Sequence, residues 1–171
     1  MTEIKMTSIN YEDLKEFVFS SFVAMGLNKL DAEIFSDALM FSELRFLSGQ
    51  GQGVQRITTY FKRIQNKEVN LNSDYEIIKE SSSLALVDAK NGIGTIQASK
   101  CMDIAIQKAQ NEGIGKVIIK NSTHFGSSSV HAVKAANQNC IGVVYTNAGP
   151  EMAPWGSKSG GVGTNPWGIA C

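Results

Sequence analysis

Histidine and cysteine are scarce in this chain, and an excess of either charge is absent. The three cysteines, Cys101, Cys140 and Cys171, are odd in number and far apart. That argues against a disulfide framework and for buried free thiols in a reducing compartment. Neither histidine, His124 or His131, stands at the short spacing from a cysteine that a zinc site uses, so no metal is expected. Lys+Arg and Asp+Glu both number 16, which removes the electrostatic case for a nucleic-acid partner. No run of like charge marks an acidic or basic tail. No apolar stretch approaches a bilayer-spanning length, and Met1 to Asn10 lacks the apolar core of a signal peptide. The expectation is a cytoplasmic protein with no membrane partner.

What is present is ordinary for a globular protein: 43% hydrophobic and 19% charged residues. A length of 171 residues suits one good core or two small domains. The first third reads as helix. Asn10 can cap a helix from Tyr11, with Glu12 and Asp13 in its first turn and Gly26 as its stop. Leu14, Phe17 and Ser21, with Val18, Phe22 and Met25, fall at helical spacings. A second helix is predicted over 30–44, with Ile34, Phe35, Ala38, Leu39 and Phe41 as its apolar face, and a third over 54–64. Between them Ser48 to Gly53 holds three glycines and reads as a loop.

After Asn70 the pattern changes, and residues 1–70 and 71–171 are expected to be separate domains. Strands are predicted over 76–79 and 84–89, a long helix over 96–111, a strand over 116–120, a helix over 127–139 with His131 inward, and a strand over 141–146. The last is a continuous apolar run, which suggests burial on both faces. Trp155 and Trp167 read as core.

The densest chemical signal is Asn121-Ser122-Thr123-His124-Phe125-Gly126, where a strand gives way to a helix. Histidine is well placed to trade a proton near neutral pH, and a following glycine lets the backbone bend or a ligand approach. The plain alternative is a capped turn whose histidine is satisfied by hydrogen bonds. Gly92-Ile93-Gly94 before a helix invites a dinucleotide reading, but Gln97 stands where G-x-G-x-x-G needs a third glycine. Ser127-Ser128-Ser129 fails the G-x-S-x-G pattern and sits where serines cap helices. Arg56 lies on the third helix, just past the glycine loop, where a guanidinium could grip a carboxylate with two parallel hydrogen bonds. A solvated surface arginine is the alternative. Thr146-Asn147-Ala148 and Gly163-Thr164-Asn165-Pro166 are two similar polar turns whose donors suit a phosphate or an amide-bearing cofactor, or are simply turn chemistry.

These pieces in this order resemble the malate/L-lactate dehydrogenase type 2 family. The resemblance extends to Leu44-Arg45, Gly53-Val54-Gln55-Arg56-Ile57, Tyr60, Val87-Asp88-Ala89 and Ala153-Pro154-Trp155-Gly156, and so covers nearly the whole chain. It implies an α+β fold: an N-terminal helical domain, then part of a non-Rossmann, largely antiparallel sheet-and-helix cofactor domain. It implies an NAD- or NADP-dependent oxidoreductase acting on small 2-oxo and 2-hydroxy acids or related imines, working as a homodimer. By resemblance His124 is the acid/base or the nicotinamide-side catalytic histidine, and Arg56 orients the substrate carboxylate. Asn147, Ala148, Thr164 and Asn165 lie around the cofactor.

Two departures accompany the resemblance. The family has Ser-His-Gly before the Val-x-Arg that matches Val54-Gln55-Arg56, whereas here Gln50 or Gln52 takes the histidine's place. A glutamine amide can hydrogen-bond a carbonyl but is no general acid. The family's chains are also about twice this long, so the 171 residues are expected to be an N-terminal portion, poorly stable and inactive alone. A non-catalytic remnant that binds ligand or partner through the same fold is the rival expectation.

Overall fold

Polar caps start the first two helices. The computed structural model describes residues 8–45, 52–71 and 73–171. The chain divides into two compact units, Met1–Asn72 and Ser73–Cys171. In the first, α1 (Tyr11–Ala24), α2 (Lys29–Leu44) and α3 (Arg56–Gln65) follow one another. The Asn10 side chain accepts from the backbone N–H groups of Glu12 and Asp13 at 2.8 and 3.4 Å, which satisfies donors the helix cannot pair itself. Asn28 does the same for Asp31 at 3.0 Å and donates back to its carboxylate at 2.8 Å.

The three helices meet through aromatic rings. Phe22 stacks on Phe35 with centroids 4.3 Å apart, and Phe35 meets Tyr60 edge-on at 4.5 Å. Val18, Ala32 and Leu39 of α1 and α2 are buried as well. The apolar spacing located the α1 and α2 parts of this packing, with two shifts. Phe17 is exposed, the turn being carried by Val18 and Phe22, and in α3 the spacing Val54, Ile57, Phe61 and Ile64 gives way to Tyr60, with Phe61 exposed. The glycine loop expected over 48–53 lies mostly outside the described residues, Gln50 included.

In the second unit the order is β1 (Glu76–Glu80), β2 (Leu84–Asp88), α4 (Gly94–Glu112), β3 (Lys116–Lys120), α5 (Ser128–Ala136), β4 (Gly142–Tyr145) and β5 (Trp167–Ala170). β1 pairs antiparallel with β2, and β2 pairs parallel with β3 across the α4 crossover. β4 and β5 form a separate antiparallel pair. Among the described residues two of the three strand pairings are antiparallel, so the sheets are largely antiparallel and non-Rossmann, as expected. Ala85, Val87 and Cys101 form a buried cluster flanked by Tyr75, Val117 and Ile119.

Several expectations are corrected here. α4 begins at Gly94, two residues early, and α5 ends at Ala136, with Asn139 in a left-handed conformation just after it. α5 buries His131, the residue expected inward, but its other buried positions are Ala132 and Ala135; Val130, Val133 and Ala136, which the helical spacing also turns inward, are only half-buried. β4 is not buried on both faces: Val143 and Tyr145 are exposed, because α5 packs on the strand and, among the described residues, only β5 pairs with it. Neither tryptophan is core; Trp155 is fully exposed and Trp167 is 66% exposed. The cysteines are free, but only Cys101 is buried, and burial pushes its thiol up to about 12; Cys140 is half-buried and Cys171 exposed. Among the described residues, no helix is long and apolar enough to cross a membrane.

Candidate active site

His124 sits on a short connection between β3 and α5 that is strapped to the start of α4. The Thr123 hydroxyl donates to the Gly92 carbonyl at 2.9 Å and accepts from the Gly94 N–H at 3.1 Å. One side chain thereby occupies an orphan donor of the α4 N-terminus and fixes the residue before His124. The approach is close. A Cβ on residue 94 would lie 2.1 Å from the Thr123 carbonyl oxygen and 2.7 Å from the His124 carbonyl carbon. Gly94 is therefore glycine so that the Thr123–His124 backbone can pass.

The ends of the flanking strands are tied as well. Ala89 N–H donates to the Lys120 carbonyl at 3.0 Å and Asn91 N–H to the Asn121 carbonyl at 2.8 Å. The Asp88 carboxylate accepts from the Lys90 N–H at 2.8 Å and from the Asn121 amide at 2.9 Å. The Lys90 bond, then the Asn121 amide and Lys120, hold that carboxyl below its usual range.

Beyond His124 the chain enters α5. His131 is 1% exposed, and its Nε2 lies 2.9 Å from the Phe125 carbonyl oxygen. The His131 and Phe125 rings stack with centroids 5.3 Å apart. Burial, the largest influence, lowers the His131 pKa; the Phe125 bond works against it, and the Lys134 charge adds to it. The serine run is spent locally. Ser127 and Ser129 hydroxyls pair at 2.7 Å, and Ser128 packs against Gly168 of β5. His124 itself is half-buried.

The two polar turns come together. β4 and β5 pair Tyr145 with Trp167 at their ends, and the ladder continues with the Thr146 N–H donating to the Pro166 carbonyl at 3.1 Å. The Ala148 N–H then donates to Asn165 Oδ1 at 2.9 Å. Asn165 adopts a left-handed φ of 41°, which asparagine tolerates. A Cβ on residue 163 would lie 2.2 Å from the Ala148 carbonyl oxygen, so the two turns touch backbone to backbone. Asn147, Ala148, Thr164 and Asn165 thus form one exposed patch. α5 links this patch to the His124 connection, since its first residue, Ser128, packs on Gly168 beside Trp167.

Gln52 and Arg56 belong to the helical unit. The Val54 N–H donates to the Glu43 carboxylate at 2.8 Å, which anchors the entry to α3 on α2. Arg56 opens α3, its N–H bonded to the Gly53 carbonyl at 3.0 Å, and both Arg56 and Gln52 are half-buried. A cation in a helix's first turn opposes the helix dipole, and a bound anion there would relieve it. The Arg45 guanidinium lies 3.5 Å above the Phe41 ring.

Sequence reading missed three features. The Thr123 strap, the His131 bond to Phe125 and the exposed aromatic pair Tyr145–Trp167 all depend on long-range packing. Only the closely spaced glycines 92 and 94 signalled the first.

Comparison with known proteins gives the lineage. The chain is 35% identical over 159 residues to the L-sulfolactate dehydrogenase of Methanocaldococcus jannaschii, covering 93% of this chain and 46% of that protein. It is 36% identical over 159 residues to the malate dehydrogenase of Pyrococcus abyssi, covering 93% of this chain and 43% of that one. The solved structure of malate dehydrogenase from Pyrococcus horikoshii superposes with a TM-score of 0.90 at 33% identity, over 99% of this chain and 49% of that one. The chain thus spans about half the length of the relatives it matches. Residues 9–171 match the malate/L-lactate dehydrogenase family, and the chain belongs to that family.

Proposed function

We propose that this chain is the N-terminal portion of an NAD- or NADP-dependent oxidoreductase that interconverts a small 2-oxo acid and the corresponding 2-hydroxy acid. The observation that carries this reading is the buttressed His124 connection. A half-buried histidine is held between the α4 N-terminus and α5, in the same unit as a patch of neutral hydrogen-bonding groups on the β4–β5 pair. Relatives named for malate and sulfolactate support the substrate class, since both are 2-hydroxy acids with a second acid group.

The residues fit a nicotinamide cofactor. The patch of Asn147, Ala148, Thr164 and Asn165 offers amides, a hydroxyl and backbone groups, which suit a carboxamide and ribose hydroxyls. When bound, such a cofactor supplies the hydride for the substrate's carbonyl carbon. His124 gives the proton that the carbonyl oxygen takes up, and takes it back in the reverse direction. Arg56 holds the substrate carboxylate so that one face of the carbonyl is presented. Gln52 donates a hydrogen bond to the carbonyl oxygen without supplying a proton. The working assembly is a homodimer in the cytoplasm.

The test is oxidation of NADH and NADPH by the full-length protein across a panel of 2-oxo acids that includes oxaloacetate and sulfopyruvate. Turnover with at least one acid is expected. Cofactor binding without turnover of any acid or cyclic imine would favour the second reading, a non-catalytic remnant. The glutamine in place of the family's loop histidine is the observation that favours it.

A further inference from the structure

We propose that His131 is a positioning residue for His124, acting through the Phe125 carbonyl. The inference rests on His124 being the proton-transfer residue, as above.

The geometry is a two-sided clamp on the His124 peptides. On one side Thr123 is held by Gly92 and Gly94 at the start of α4. On the other, Phe125 is held twice by His131: by the 2.9 Å contact from Nε2 to its carbonyl oxygen and by ring stacking. His131 is a firm anchor. The neighbouring Ala132 backbone abuts Gly142 of β4, and Ser128 abuts Gly168 of β5.

The chemistry fixes the tautomer. A carbonyl oxygen only accepts, so Nε2 carries the hydrogen and Nδ1 is the bare nitrogen. Nδ1 is buried and has no hydrogen-bond partner among the described residues. A second proton there would be an unpaired buried donor, which is costly, so the ring stays neutral. An aliphatic side chain would fill the same space without an orphaned nitrogen. The imidazole differs from it in the ring it stacks on Phe125 and in the N–H it gives to the Phe125 carbonyl.

Two variants in the full-length protein test this. His131→Phe keeps a ring against Phe125 and removes the donor; His131→Gln keeps an N–H close to the Nε2 position. With an acid the wild type reduces, His131→Phe should lose about ten- to a hundredfold in kcat, the scale of a small misplacement of a reacting group. KM and cofactor Kd should stay within about twofold, because substrate binding is not what the clamp serves. His131→Gln should recover most of the loss. Unchanged kcat in His131→Phe would overturn the proposal. So would a joint fall of kcat, cofactor affinity and melting temperature with no recovery in His131→Gln, since that describes a residue that only fills the core. The imidazole resonances of His124, identified by their loss in His124→Asn, give a readout that needs no turnover. They should shift in His131→Phe and return in His131→Gln. If the wild type reduces no acid, the functional reading fails, while shifted resonances still uphold the clamp; unmoved resonances overturn it.

Discussion

The backbone of Gly94 lies against the Thr123 carbonyl so closely that a Cβ on residue 94 would sit 2.1 Å from that oxygen. Real side chains do not approach so near, and the obstacle is backbone that cannot swing away. Gly94→Ala should therefore displace the His124 connection and cost about 1–3 kcal/mol, the usual range for overpacking. Urea denaturation measures it. A variant as stable as wild type would mean the contact is looser than described.

Thr123 offers a finer probe of the same strap. Thr123→Val keeps the shape but leaves the Gly94 N–H and the Gly92 carbonyl without the hydroxyl. A loss of about 1–3 kcal/mol is expected for such orphaned groups. Thr123→Ser, which keeps the hydroxyl, should lose clearly less in the same denaturation series.

The paired turns predict a contrast at Asn165. Asn165→Ala removes the acceptor for the Ala148 N–H and puts alanine at a φ of 41°. Together these should cost about 1–2 kcal/mol. Asn165→Asp keeps an acceptor oxygen and should stay near wild-type stability. On the cofactor reading, Asn165→Ala should also weaken NADH binding, measured by fluorescence titration. Equal stability of the two variants would show that the Ala148 bond does not hold the turns together.

His131 should make the protein acid-sensitive. Its folded pKa is lowered, chiefly by burial, with Lys134 adding to the effect. Below the ordinary histidine pKa the unfolded chain binds a proton that the folded chain refuses. The stability this group contributes is therefore complete above that pKa and declines as pH falls through it toward the folded value. Denaturation midpoints taken from pH 7.5 down to 5 should drop more steeply for wild type than for His131→Gln. Parallel slopes would contradict the assigned burial.

Local sequence carried the helices well. Asn10 announces α1 because an asparagine oxygen ahead of Glu12 and Asp13 has two orphan N–H groups to meet. The Phe22–Phe35 contact follows from apolar spacing in α1 and α2, whereas α3 buries Tyr60 and exposes its neighbour Phe61, which spacing alone does not distinguish. Spacing does not say what covers a strand. Ile141 to Thr146 is as apolar as a strand buried on both faces, yet Val143 and Tyr145 face outward.

The site was legible as a set of motifs and not as an arrangement. The His124 and Asn147 turns stand out because glycine, asparagine and threonine cluster there. That Ala148 meets Asn165, 17 residues on, depends on β4 pairing with β5, and no local pattern encodes that register. Gly94 was visible as a glycine, but the backbone it accommodates lies 29 residues further on.

The central claim is that His124 moves the proton. Its most direct test is steady-state reduction of an accepted 2-oxo acid by full-length wild type and His124→Asn at saturating NADH or NADPH, with cofactor Kd measured in parallel. The account predicts that kcat falls by about a hundredfold or more, on the scale of a lost general acid, while Kd stays within about twofold. A His124→Asn protein that turns over like wild type would contradict it.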